Sequence, residues 1–145
     1  MLVIDLKDKI RSLIGDEDNT NYRLTDNVLR DTKIPIGVDL FNLKMDRQFE
    51  ITGTSDAAVI LPEPTPSEVT LLVLYSVRGI LDGEIQKNAH LAVVITDPAG
   101  RSDLTKIAAE LREQRKNIQE QINNEEEKVQ VNGAAKNSEV SEDAF

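Results

Sequence analysis

The stretch Pro62-Glu63-Pro64-Thr65-Pro66-Ser67-Glu68-Val69-Thr70-Leu71-Leu72-Val73-Leu74-Tyr75-Ser76-Val77-Arg78-Gly79-Ile80-Leu81 decides the fold. Pro62, Pro64 and Pro66 forbid regular helix and ladder pairing, and Ser67 followed by Glu68 supplies an N-cap and a first-turn acid. A helix is predicted to start there. Between Val69 and Leu81 apolar side chains cover almost its whole circumference, the pattern of a helix enclosed by a core. The run is about a dozen residues where about 20 are needed to cross a bilayer, and Arg78 and Gly79 interrupt it. Polar residues resume at Asp82, Gly83, Glu84, Gln86, Lys87 and Asn88, so the helix is expected to emerge from the core at its C-terminal end.

Outward from this helix, 145 residues leave room for one domain and a tail. The net charge is −9, and Asn124 to Phe145 holds six acids against two lysines, net −4, leaving 20 acids and 15 bases, net −5, for residues 1–123. Both parts are acidic. No basic patch offers counterion release to DNA, and two Tyr, three Phe and no Trp make no stacking platform, so specific nucleic-acid binding is disfavoured. Without cysteine there are no disulfides, thiolate metal sites or cysteine nucleophiles, and Met1-Leu2-Val3-Ile4-Asp5 lacks the charged start of a signal peptide. These features point to a soluble protein made in a reducing cytoplasm.

Leu2, Leu6, Ile10, Leu13 and Ile14 recur at helical spacing and predict a short amphipathic helix with Gly15 as its stop. Asp16-Glu17-Asp18-Asn19-Thr20-Asn21 reads as a solvated turn; a calcium loop starting at Asp16 would need Gly and Glu where Asn21 and Asn27 stand. Thr25 is a candidate N-cap, with Leu24 and Leu29 as a hydrophobic staple, for a second helix over Asp26 to Lys33. Pro35 ends it, and Ile36 to Met45 is expected to be extended. Residues 48–52 and 57–61 flank Gly53-Thr54-Ser55-Asp56 and predict a β-hairpin, with Phe49, Ile51, Val59 and Leu61 on one face. Such a ribbon is marginal alone, so this hairpin is expected to lie on the helices or pair with another chain, and its apolar face assigns it as an intersubunit element or part of the channel mouth.

Beyond the central helix, Asp97-Pro98-Ala99-Gly100 signals a turn, and Ser102 or Asp103 caps a last helix striped by Leu104, Ile107, Leu111, Ile118 and Ile122. Its first half is expected to pack on the central helix and its second half to project, fraying near Glu125, Glu126 and Glu127. The tail from Asn124 reads as extended peptide with sparse apolar anchors at Val129, Val131, Val140 and Phe145. The fold class is thus mainly α: a small helical bundle around a central apolar helix over residues 1–123, with an inserted β-hairpin at about 48–61 and an extended acidic C-terminal tail over 124–145.

No Gly-rich phosphate loop, G-x-S-x-G or H-E-x-x-H occurs, and the lone His90 has no second His or Cys to complete a metal site. Asp39 and Asp46 are the best carboxylate pair, and their spacing reads as solvated acids. No catalytic, cofactor-binding or metal residues are assigned, and no cofactor is expected.

The order of parts resembles the head-tail adaptor proteins of tailed bacteriophages, the connector rings beneath the portal. The matching segments are Ile4-Asp5-Leu6 to Ile14-Gly15, Leu24-Thr25-Asp26-Asn27-Val28-Leu29, Pro66-Ser67-Glu68-Val69-Thr70-Leu71-Leu72, Ile95-Thr96-Asp97 and Arg101-Ser102-Asp103-Leu104, spanning residues 2–122. The resemblance implies a non-enzymatic virion protein of the neck, assembled in the host cytoplasm. It forms a homo-oligomeric ring, usually twelve-fold, that joins the portal protein to a tail-side stopper or tail-completion protein while DNA passes through its lumen. It also implies a portal-binding tail, with Val129, Val131, Val140 and Phe145 as anchors and Glu125, Glu126 and Glu127 meeting basic residues. Asp82 and Glu84 are candidates to line the channel, and no membrane is involved. The alternative is a helical scaffolding or regulatory protein that uses the Leu104 to Ile122 stripe as a coiled-coil surface.

Overall fold

The computed structural model describes residues 1–95 and 97–143, with side chains described as far as Gln130. A helical turn, Val3–Leu6, leads into α1, Lys7–Ile14. α2, Asp26–Val28, passes through a wide turn, Leu29–Lys33, into α3, Ile34–Lys44. The strands β1, Glu50–Thr52, and β2, Val59–Leu61, form an antiparallel hairpin. Two long helices, α4, Pro66–Val94, and α5, Pro98–Asp143, complete the chain. The protein is mainly α-helical with an inserted β-hairpin, as the periodicities require. Among the described residues no helix is long and apolar enough to cross a membrane.

α4 is the core helix. Leu71, Leu72, Val73, Leu74, Tyr75, Ser76 and Val77 are consecutive and all buried, because α3, α1 and α5 pack around the helix and the hairpin adds Phe49 and Ile60 to the same core. Its start lies slightly earlier than the pattern predicts. Thr65 is the N-cap, its hydroxyl accepting from the Glu68 N–H at 3.3 Å while the Glu68 carboxylate accepts from the Thr65 N–H at 3.0 Å, a reciprocal capping box with Pro66 as first helical residue. α4 also continues through His90 to Val94, beyond the point where polar residues resume.

Segment 36–45 departs most from expectation, since it is helical. The Ile34 N–H donates to the Leu29 carbonyl five residues back, and this widened turn relieves the clash that a proline ring otherwise makes with the carbonyl four residues before it. Pro35 then follows as the second residue of α3, where it donates no N–H to the turn before it. Ile34, Gly37, Val38 and Phe41 form the buried face of α3. At Gly37 a Cβ would lie 2.7 Å from the Ser76 Cα and N, so only glycine allows α3 to approach α4 this closely. Ser76 is fully buried there, and its hydroxyl donates to the Leu72 carbonyl at 2.8 Å.

The hairpin faces also differ from expectation. Ile51 pairs with Ile60, and Thr52 with Val59. Opposed residues point to the same side, so Phe49 and Ile51 share the inner face with Ala58 and Ile60, while Val59 and Leu61 turn outward. Phe49 and Ile60 are buried in the core, and Leu61 is 47% exposed. Phe49 stacks at 5.2 Å on Phe41, which in turn meets Tyr75 edge-on at 6.2 Å. Asn42 fixes the hairpin entrance, donating to the Phe49 carbonyl and accepting from the Phe49 N–H, both at 2.8 Å. The Val3 N–H donates to Ala58 and the Ile60 N–H to Met1, so the N-terminus covers the outer edge of β2. The hairpin's apolar side is therefore buried by its own chain, which removes the reason for assigning it to a subunit interface.

α5 reverses another expectation. It runs antiparallel to α4, so its beginning lies against the outer end of α4 and its later turns return to the core. Ile118 and Ile122 are buried, whereas Ile107 is 45% exposed. The first half of the Leu104 to Ile122 stripe lies on the outer part of α4 as expected, whereas the second half, expected to project, packs in the core. The segment from Asn124 that reads as extended peptide continues α5 to Asp143.

Gly37→Ala should lower stability by about 1–3 kcal/mol through overpacking, and Leu72→Ala by about 2–5 kcal/mol through the cavity it leaves. Urea denaturation followed by circular dichroism measures both. Gly37→Ala as stable as the parent protein would show that the α3–α4 contact is looser than described.

Candidate interaction surfaces

Polar contacts spaced along α4 and α5 hold their antiparallel pairing. Near the turn, Arg101 Nε donates to the Ile95 carbonyl at 2.9 Å, and the Asp97 carboxylate accepts from the Ala99 N–H at 3.3 Å to start α5. Further in, the buried Asn88 donates to the Leu104 carbonyl at 3.1 Å. Arg115 then meets Asp82 at 2.9 Å, and inside the core the Tyr75 hydroxyl donates to the Glu126 carboxylate. Burial, followed by its hydrogen bond to the Glu126 carboxylate and then that group's charge, pushes the Tyr75 phenol above its ordinary range, so it remains a neutral donor.

Outside these contacts the distal half of the helix pair has little cover. Val93 is 81% exposed and Val94 64%, and Leu91 and Ile107 stand half out of the surface beside them. Between this projection and the loop before α2 lies a groove of about 750 Å³. Leu24, Ile80, Leu91, Leu104, Ile107 and Leu111 make its apolar wall, and Arg23, Lys33, Lys87 and Glu84 its polar border. In a chain of net charge −9 this border is net positive.

The loop on the groove's near side is built around a buried charge. Gly15 ends α1 at φ 69°, the left-handed geometry a glycine stop supplies, and the chain turns so that Asp16 faces back onto Arg11. The Asp16 carboxylate accepts from Arg11 at 2.9 Å, from the Arg23 N–H at 2.9 Å and from the Leu24 N–H at 3.2 Å. Arg11 also reaches Asp26 and the Leu24 carbonyl, and its guanidinium lies 3.5 Å from the Tyr22 ring centre. Burial works against the Asp16 carboxylate, yet the two backbone N–H groups and Arg11 outweigh it and hold its pKa below the ordinary 3.8. Asp26 is likewise lowered, first by its hydrogen bond from Arg11. The polar loop is thus an internal clasp with its first carboxylate buried, where composition reads only a solvated turn.

The residues assigned from sequence are dispersed. Phe49 and Ile51 lie on the inner side of the hairpin, Val59 and Leu61 on the other. Asp82 is engaged by Arg115 and, at 3.9 Å, by Arg78, and Glu84 pairs with Arg23 at 3.4 Å. Both candidate channel acids are therefore paired with cations of their own subunit. Glu125 pairs with Lys128 at 3.1 Å, Glu127 is exposed, and Glu126 is turned inward onto Tyr75, where it cannot meet a basic partner. Val129 packs against the core. The side chains of Val131 and Val140, and Phe145 altogether, lie outside the described residues. The groove was missed because its lining comes from three separated parts of the chain; the apolar Leu91 beyond the expected helix end was its one local signal. Ile118 and Ile122 are consumed by their own chain, which takes the inner half of the stripe away from any coiled-coil partner.

Known protein families, curated proteins and solved structures contain no match to this chain.

Two predictions follow from the buried polar groups. Asp16→Asn should cost about 3 kcal/mol at neutral pH, the lower end for a broken buried ion pair, because Asp26 and the Leu24 carbonyl still hold Arg11. A depressed carboxylate pKa contributes stability that is present above 3.8 and is lost as pH falls through the folded value, so the gap between parent and variant should close on acidification. Urea melts across that range check it. Tyr75→Phe should cost about 1–3 kcal/mol by leaving buried Glu126 without its donor, and Tyr75→Phe combined with Glu126→Leu should recover part of that loss.

Proposed function

We propose that this chain is a non-enzymatic structural subunit of the head-tail adaptor type, which assembles into a ring, twelve-fold in this reading, beneath a portal. The ring joins the portal to a tail-side stopper or completion protein, in the neck of a virion, and leaves a lumen for DNA. The observation that carries this reading is the projecting α4–α5 pair, whose Leu91, Val93, Val94 and Ile107 are uncovered in a single copy. An apolar projection on a well-packed body suits a subunit that completes its surface by contact with other chains. Further support comes from the order of elements, with short N-terminal helices around a polar loop, then the proline-announced apolar helix and a charged last helix. The paired charges serve the fold: buried Arg11 and Asp16 clasp a loop, and the half-exposed Arg115 and Asp82 tie α5 to α4.

With Asp82 and Glu84 paired inside the subunit, the acidic lumen of this proposal draws on other carboxylates, and the overall charge of −9 per chain sets its sign. The experiment is assembly with a portal ring, followed by electron microscopy and native mass measurement. A closed ring stacked on the portal is the expected result, and Val93→Asp with Val94→Asp should impair it while leaving the melting curve unchanged. A protein that neither joins a portal nor forms a closed assembly would overturn the proposal.

A further inference from the structure

The groove beside the projecting helices combines an apolar wall with a cationic border in a strongly acidic protein. Arg23 is partly satisfied by Glu84, but Lys33 and Lys87 have no carboxylate within ion-pair distance among the described residues. The segment 139–145, Glu139-Val140-Ser141-Glu142-Asp143-Ala144-Phe145, has the complementary chemistry. It carries Glu139, Glu142 and Asp143, no base, and the apolar side chains Val140 and Phe145. We propose that the groove of one subunit receives the acidic C-terminal segment of a second copy of this chain, with Lys33 and Lys87 facing its carboxylates and its apolar residues lying against Leu104, Ile107 and Leu111. This deepens the ring reading, rests on its premise that copies of the chain contact one another, and gives Val140 and Phe145 to a neighbouring subunit where the resemblance gives them to the portal.

Geometry favours a second copy over the same chain. Leu111 lines the groove, and α5 continues helical from there to Asp143, a separation of about 48 Å at a rise of 1.5 Å per residue. The helix carries its own C-terminal segment away from its own groove. A contact that joins the groove of one copy to the end of another is heterologous, and repetition of one heterologous contact generates a ring if the rotation closes or a filament if it does not. Charge opposition across such a contact fixes which surfaces meet and makes the contact sensitive to salt.

Charge exchange in the full chain tests this. Lys33→Glu with Lys87→Glu alters the groove, Glu139→Lys with Glu142→Lys alters the segment, and a third protein carries all four substitutions; light scattering with concentration reads the assembled mass. The parent protein should self-associate, either two-substitution variant should associate about tenfold more weakly, and the four-substitution protein should recover. Circular dichroism melting checks that each variant is folded, and Lys87→Glu alone replaces the groove pair if that pair unfolds. A parent protein that stays monomeric up to its solubility limit overturns the inference, as do two-substitution variants that keep the parent's mass, or a folded four-substitution protein that fails to recover. Recovery in a protein that does not join a portal would sink the adaptor reading alone, whereas portal-bound rings indifferent to all four substitutions would sink this contact alone.

Discussion

The approach of α3 to α4 at Gly37 and Ser76 is the constraint on which the remaining packing depends. With backbone nearly touching backbone, Ile34, Val38 and Phe41 reach the buried face of α4, and Phe41 can meet Phe49 on one side and Tyr75 on the other. Fully burying an aromatic or aliphatic side chain contributes about 1.5–3 kcal/mol, so this small set of contacts is a large share of a domain's net stability. A methyl group at Gly37 would separate the helices and loosen every one of these contacts together. The π-type turn before Pro35 belongs to the same arrangement, because it lets α3 begin where its apolar face can meet α4.

Polar groups inside the molecule fix register where apolar packing alone would tolerate sliding. Tyr75 and Glu126 set how far α5 runs along α4, since a shift of one turn would leave a buried carboxylate and a buried hydroxyl without partners. In the loop after α1, Arg11 gives both terminal nitrogens to side chains and backbone that composition alone would leave in solvent, while its buried Nε has no partner among the described residues. That clasp holds the chain between α1 and α2 in place, and with it Arg23 and Leu24 at the edge of the groove. The same acidic sequence thus uses some of its cations to build the interior and leaves others, Lys33 and Lys87, beside an apolar cleft.

This division gives the molecule two regions of different character. The body is closed by α1, α3, the hairpin and the second half of α5 around the first half of α4. Beyond the Arg23–Glu84 contact, the distal parts of α4 and α5 pack mainly on each other, and their exposed apolar residues and bordering lysines make the surface through which assembly is proposed to proceed.

Local sequence determined the helical class, the apolar core helix, the glycine stop at Gly15, the Thr25 cap of α2 and the presence of a hairpin near residues 48–61. Each follows from side chains within a few residues of one another, where periodicity, capping and turn geometry act. Ile34, Gly37, Val38 and Phe41 did carry a helical spacing, but Pro35 masked it, because whether a proline is tolerated depends on the turn before it. Tertiary structure decided which side of the hairpin is buried, which half of α5 packs, that Asp16 and Glu126 are internal, and that a groove exists at all. Those outcomes depend on which distant residues meet. Antiparallel return of α5 brings Ile118, Ile122 and Glu126 back to the core, and no pattern within α5 itself specifies what lies opposite them.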